Sequence, residues 1–461
     1  MKERILQTLL DLRQYALQKG YVVTLFYHEE DSYLMRFANS AISLNTNEHL
    51  IRLDITAYLD RRRASYEMIT DLGKLDEMKQ AVDIAAEMVQ HAQPLSYQPT
   101  IPVFPGSFTD ESGFDLALGQ LSNKERLEYF NRVAKGLETD EVKLSGIFSS
   151  GTNTLAQVNT RSENTQYFKT SDAQVTTVLS HAILKWEVTA EQSAQKKAEL
   201  DPSALRQDLT FLLKHYQHDT PQQIPLGSYD IVFGSAATAE MLGFMNWIGF
   251  NGGSMKRGFS FLGEDKVGQK VFSGRFNLSD DPSRLETFPF QRDFTGLLRK
   301  PTYFFNEGVF QGFAWFQDDA DEFGAKATGH TVAHKSLVLH GGDKPVKSLE
   351  ELVAMPREKD ILYIPFLHYM NIVNPSKALV TGSSRFGALL LRKDGSVVVP
   401  FNVRLTQSLL NVFGDKVEWL SQKTVPYNTS QSYGARNPTA IIVPAFVKVN
   451  DLEISHSNSS Y

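Results

Sequence analysis

The chain has 461 residues, 42% hydrophobic and 22% charged, a globular composition that excludes wholesale disorder and gives room for roughly two to four domains. Its 47 Lys and Arg against 53 Asp and Glu leave a formal charge of -6, which argues against a nucleic-acid-binding protein with a basic face. Cysteine is absent, so disulfides, thiolate metal ligands and cysteine nucleophiles are excluded together, and the reading is a cytoplasmic protein.

The first stretch breaks its apolar residues with Glu3, Arg4, Asp11 and Arg13, as an amphipathic helix does and a signal peptide does not. Ile5, Leu9, Leu12 and Ala16 share one face of that helix, and Gly20 ends it. Strand patterns come next at 21–27, 33–37, 51–59 and 64–69, with Arg61, Arg62 and Arg63 expected in a solvated hairpin turn. A helix is expected from about Lys74 to His91. The four prolines of 94–106 then predict an exposed, lightly packed connector.

Ser122 and Glu125 form a capping-box pattern for a helix reaching about Leu137. Short strands are expected over 142–188, with turns at Ser150-Gly151 and at Arg161 to Glu163. Asp201-Pro202-Ser203 opens another helix, with Leu205, Leu209, Leu212 and Leu213 inward, and a second connector covers 218–227.

From 228 onward strand patterns dominate, for example 229–233, 302–305 and 441–447, and Lys393-Asp394-Gly395 marks a hairpin. Helices are expected at 236–248 and 404–413, and the polar tail after Ile454 is expected to fray. The aromatic run Phe304, Phe305, Phe310, Phe313, Trp315 and Phe316 suits either an interface or a core. The fold class is therefore α+β. An α/β N-terminal half, with helices on a mainly antiparallel sheet, precedes a β-rich C-terminal half. Its units are 1–93, 107–217 (packing with the first) and 228–456.

Motifs for chemistry are scarce. There is no HExxH helix, no G-x-S-x-G elbow and no phosphate loop. His28-Glu29 leads nowhere, and His215 and His218 read as a solvated pair. His330, His334 and His340 form the densest histidine group, without the periodicity that would make them converge on a metal. The acidic run 318–322 reads as a solvated loop.

Several blocks resemble the TldD/PmbA family, whose members are also labelled modulators of DNA gyrase. They are SYLMRFANSAIS at 32–43, FSFLGEDKVGQKVFSGRFNLSDDP at 259–282, FFNEGVFQGF at 304–313, ATGHTVAH at 327–334 and the long run 367–410. The resemblance implies much that the residues alone do not. TldD-like members are zinc peptidases with HExxxH on a helix and a cysteine as a further ligand. The matching positions here are Ala239, Glu240, Gly243 and Phe244, so both histidines are replaced and no cysteine exists.

The chain thus resembles the PmbA branch. That resemblance implies a non-catalytic subunit, with no cofactor of its own, that pairs with a TldD-like zinc-bearing partner and acts on unfolded peptides. Alone it could form a homodimer; no membrane or nucleic acid is expected. Gly382, Arg385 and Gly387 are candidates for lining a peptide groove, or else form a tight turn before the 388–400 hairpin. Two alternatives stay open: a self-sufficient metallopeptidase using residues such as His330 and His334, and a free-standing peptide-binding or assembly protein.

Overall fold

The computed structural model describes residues 1–217, 220–330, 336–430 and 436–458. Helix α1 (Lys2–Gln18) buries Ile5, Leu9, Leu12 and Ala16, and Gly20 takes the left-handed conformation that ends it. Strand β1 (Val22–Ala38) pairs antiparallel with β2 (Ala41–Leu59), and β2 with β3 (Arg62–Thr70). Helix α2 (Leu75–His91) joins α1 over one face of these strands. Then come β4 (Phe108–Asp110), the single turn α3 (Leu116–Gly119) and α4 (Asn123–Ala134), whose Ser122–Glu125 capping box is formed. Strands β5 (Val142–Asn159), β6 (Ser162–His181) and β7 (Glu187–Ala194) precede α5 (Pro202–Tyr216), capped by Asp201. One sheet runs β3-β2-β1-β5-β6-β4, with β7 also on β6, so residues on both sides of the 94–106 connector share it.

This half departs from expectation in instructive ways. The segments 21–27 and 33–37 are one strand, because the polar residues His28 to Ser32 are laddered to β2 on one side and β5 on the other. Likewise β5 and β6 are single long strands, and Ser150-Gly151 is no turn. Ser150 is fully buried and bonds the guanidinium of Arg126 at 3.1 Å, itself 1% exposed. Gly151 is required there, since a Cβ would lie 2.0 Å from the Asp31 carbonyl oxygen. Only Asp60 and Arg61 form the expected arginine turn; Arg62 and Arg63 begin β3, and Arg63 reaches Asp318 at 2.6 Å. Nor is the connector uniformly loose. Pro94 and Pro105 are exposed, but Pro99, Pro102 and Phe104 are buried, and the Phe104 carbonyl accepts from Asn164.

Strand β8 (Gly227–Gly234) leads without a linker into α6 (Ser235–Ile248). The rest of this half forms two sheets. One has the order 309–310, 302–306, 278–280, 337–339, 440–444, 424–428. The other has the order 366–374, 379–385, 402–408, 446–458, β8, 361–364, 389–391, 397–398, with 417–420 also on 446–458. Helix α6 packs on strands of both sheets, which is why it is apolar nearly all round.

The expected helix 404–413 is mostly strand (Asn402–Ser408), with one helical turn at Leu409–Val412. The segment 441–447 is divided between the two sheets, with Ala445 at the break. Residues after Ile454 do not fray through 458: they pair with 402–404, and Ser457 is 4% exposed. Of the aromatic run, Phe304, Phe305 and Phe310 lie in the core, which settles them as packing residues. A further hydrophobic cluster joins the halves, taking Leu209 and Leu212 from α5 together with Val232, Leu389, Trp419 and Phe446. Among the described residues no helix is long and apolar enough to cross a membrane.

Candidate functional site

Helix α6 turns one strip outward. Ala239 is fully buried, Glu240 is partly buried, Gly243 is exposed, Phe244 packs on the core edge and Trp247 is 61% exposed. Glu240 does not face open water. The Tyr427 hydroxyl hydrogen-bonds to it, and Glu191 of β7 approaches from the other half. Among the described residues no cation pairs with either carboxyl. Burial, and then the Glu240 charge, push the Glu191 carboxyl up to about 7, and burial likewise raises Glu240. Burial and these two carboxyls raise the Tyr427 phenol, which therefore stays a proton donor.

A pair of desolvated carboxyls without a cation favours a retained proton, and the consequence can be measured. In the unfolded chain Glu191 ionises near the ordinary glutamate value of about 4.3. Between that value and about 7 the folded state binds the extra proton, so this group's contribution falls as pH rises through the window. Glu191→Gln should flatten the slope of the urea midpoint between roughly pH 5 and 8, working ranges chosen around that window, and raise the midpoint at the alkaline end. An unchanged slope would show that the Glu191 carboxyl is not raised in the folded chain.

Beside this pair lies a cavity of about 340 Å³ between the halves. Its walls include Glu191, Tyr363, Phe366, Phe386 and Phe446, and the first residues of α6 reach it. None of the three groove candidates lines this cavity. Arg385 pairs with Glu187 at 2.9 Å, meets His368 at 3.2 Å and lies over the Phe386 ring. Gly387, at φ +108°, lines a second cavity of about 200 Å³ with Trp186, Tyr216 and Phe401. Gly382 sits mid-strand, where a Cβ would lie 2.8 Å from the Met370 side chain; it allows close packing and lines neither cavity. The turn before the hairpin is Phe386-Gly387, both in the left-handed region.

Among the described residues the histidines of this group have separate partners. His330 meets Asp280 at 3.2 Å and Thr328 at 2.7 Å, His340 bonds Ser279 at 2.9 Å, and His334 and His218 lie outside the described residues. The acidic run is the helix Gln317–Phe323. Asp318 binds Arg63, Asp319 and Glu322 bind Arg257, and Asp321 takes two hydrogen bonds from Thr100. It fastens the halves together.

A buried helix between two open sheets, set against an α/β half, defines a protein of the PmbA/TldD type. The model of the PmbA/TldA metallopeptidase C-terminal domain matches residues 226–456, half of the chain, and the chain belongs to the PmbA/TldD family. TldE from Thermococcus kodakarensis superposes with a TM-score of 0.79 at 15% identity, covering 97% of this chain and 100% of that one. A Bacteroides thetaiotaomicron protein described as a modulator of DNA gyrase gives 0.74 at 15% identity, covering 96% and 98%. A Thermotoga maritima protein of similar description gives 0.72 at 14%, covering 98% and 100%. At these identities the likeness is one of fold. No curated protein matches the sequence.

The family name implies a metal, and the donors around α6 can be weighed for one. Ala239 and Phe244 offer no donor atom, and the groups beside Glu240 are a carboxyl and a phenol. Zinc in a peptidase takes imidazole nitrogens with a carboxylate. Among the described residues no three of His, Asp and Glu stand together as a metal site. These residues do not fit zinc. Glu191, Tyr427, Tyr363 and Ser235 carry the local chemistry instead, and no spacing in the sequence singles them out.

Proposed function

We infer that this chain is the non-catalytic, PmbA-like subunit of a TldD/PmbA-type metallopeptidase complex acting on unfolded peptides in the cytoplasm. The observation that carries the reading is α6 itself. In it Ala239 is fully buried and Phe244 packs on the core edge, and the family resemblance puts the ligand histidines of TldD-like members at these two positions. The zinc then belongs to a partner bearing HExxxH, and this chain completes an enclosed peptide site. Its outward surfaces suit that role: Trp247 on α6, and Tyr369 and Val373 on the edge strand 366–374, are apolar and exposed.

The test is reconstitution. The chain should co-elute with an HExxxH-bearing paralogue from the same cell as a heteromer that cleaves unfolded peptides. Elemental analysis should assign the zinc to the partner and far less than one per chain to this protein alone. A paralogue fully active by itself that never co-elutes with this chain would sink the subunit reading. Stoichiometric zinc in the isolated chain would revive the self-sufficient enzyme.

A further inference from the structure

The start of α6 is only partly capped by its own chain. The first four N–H groups of any helix lack intrahelical partners. Here the N-cap is Gly234, which has no side chain to offer. Nor could another residue serve: a Cβ at 234 would lie 2.9 Å from Pro365 and 3.2 Å from the Tyr363 hydroxyl. The Ala237 N–H is taken by the Pro365 carbonyl at 3.1 Å. Those of Ser235 and Ala236 have no partner among the described residues, and both residues line the 340 Å³ cavity.

Tyr363 supplies an independent sign. It is 8% exposed, its ring packs against Phe446, and its hydroxyl, beside the N-cap on the cavity wall, has no hydrogen-bond partner among the described residues. Burial and then Asp208 keep its phenol protonated, hence a donor. Lys423 and Lys347 stand exposed on the rim. Two backbone N–H groups, a phenol and a helix N-terminus face one space whose walls also carry Lys347 and Lys423, with Lys423 donating to the Lys347 carbonyl at 3.1 Å, and the carboxyls of Glu191, Asp208 and Glu350. That is a receptor for an anion with an apolar body.

The geometry points to capture of a peptide C-terminus: the open end of α6 and the Tyr363 hydroxyl hold the terminal carboxylate, and the last side chain lies among Phe366, Phe386 and Phe446. A monoanion fits better than a phosphate dianion, because three carboxyls, Glu191, Asp208 and Glu350, line the same cavity and disfavour added negative charge. The inference rests on the reading of the chain as a peptide-handling subunit and names the part of the peptide it takes.

The test uses the purified chain and one fluorescent unfolded peptide ending in leucine, made as the free acid and as the C-terminal amide. By anisotropy the free acid should bind about tenfold or more tightly than the amide, as for hydrogen bonds to a charged acceptor. Tyr363→Phe keeps the ring and removes one donor. Ser235→Pro removes one N–H at a helix position proline accepts, after a Gly234 already extended. Each should weaken the free acid about three- to tenfold and leave the amide unchanged. Equal binding of acid and amide, no binding of either, or indifference to both variants overturns the inference. So does inorganic phosphate that displaces the peptide at concentrations where acetate does not. The outcome is separable from reconstitution: an acid-selective chain that never co-elutes keeps this pocket, and a chain that co-elutes without acid selectivity loses it.

Discussion

Replacing Arg299 by methionine is expected to cost the folded chain about 3–5 kcal/mol, the range for leaving a buried charge without its partner. Asp280 is 1% exposed and Arg299 4% exposed. The guanidinium donates to Asp280 at 2.6 Å and to the Phe290 carbonyl at 2.9 Å, while the Ser336 N–H and His330 hold the carboxylate from other sides. Burial alone would raise the Asp280 carboxyl; the His330 hydrogen bond and the Arg299 charge overcome that and hold it well below the usual carboxylate range. A depressed folded value gives stability that is complete above the ordinary aspartate pKa and is lost as pH falls through the folded one. Urea midpoints by circular dichroism should drop sharply for Arg299→Met, and the double variant with Asp280→Asn should recover part of the loss. A single variant as stable as the parent would mean that solvent reaches this site.

A similar loss, about 3–5 kcal/mol, is expected for Phe305→Ala. Phe305 is fully buried, and its ring meets those of Phe250, Phe272, Phe276 and Phe310 at centroid distances of 4.9 to 6.4 Å. Four rings cannot all collapse into the vacated space, so the cavity persists. Phe305→Leu should recover about half of the loss or more, because it refills most of the volume. If Phe305→Ala shifts the midpoint no more than an exposed substitution such as Phe259→Ala, the aromatic run is surface and not core.

What the sequence disclosed was whatever is decided locally. The faces of α1 and α5 come from leucine spacing, and the Ser122–Glu125 box is a contact three residues long. What it concealed was decided by distant partners. Residues 28–32 read as a gap between two strand patterns until two neighbouring strands ladder them. In 403–413, Leu405, Leu409, Val412 and Phe413 are spaced for a helix, while Val403 and Leu405 also alternate as in a strand. Pairing with 379–383 decides for the strand. The site behaved likewise. That Ala239 and Phe244 stand at ligand positions is an implication of the family resemblance, not of any spacing in the sequence. The approach of Glu191 to Glu240 depends on where β7 is carried by the sheet, and Tyr363 gains its meaning only from the glycine it faces.

The nine-stranded sheet has its own consequence for how the molecule is made. Residues 446–458 lie between β8 and 402–408, so β8 has its neighbour on that side only after nearly all of the C-terminal half has been translated. At roughly 5–20 residues per second, the two hundred or so residues between them take about ten to forty seconds. For that interval the nascent chain carries Ile231, Val232 and Phe233 on an open strand edge, beside an N-terminal sheet whose own strands are already complete. A ribosome slowed within 235–445 lengthens the exposure. Slow translation over that stretch should therefore raise the aggregation hazard of the nascent chain.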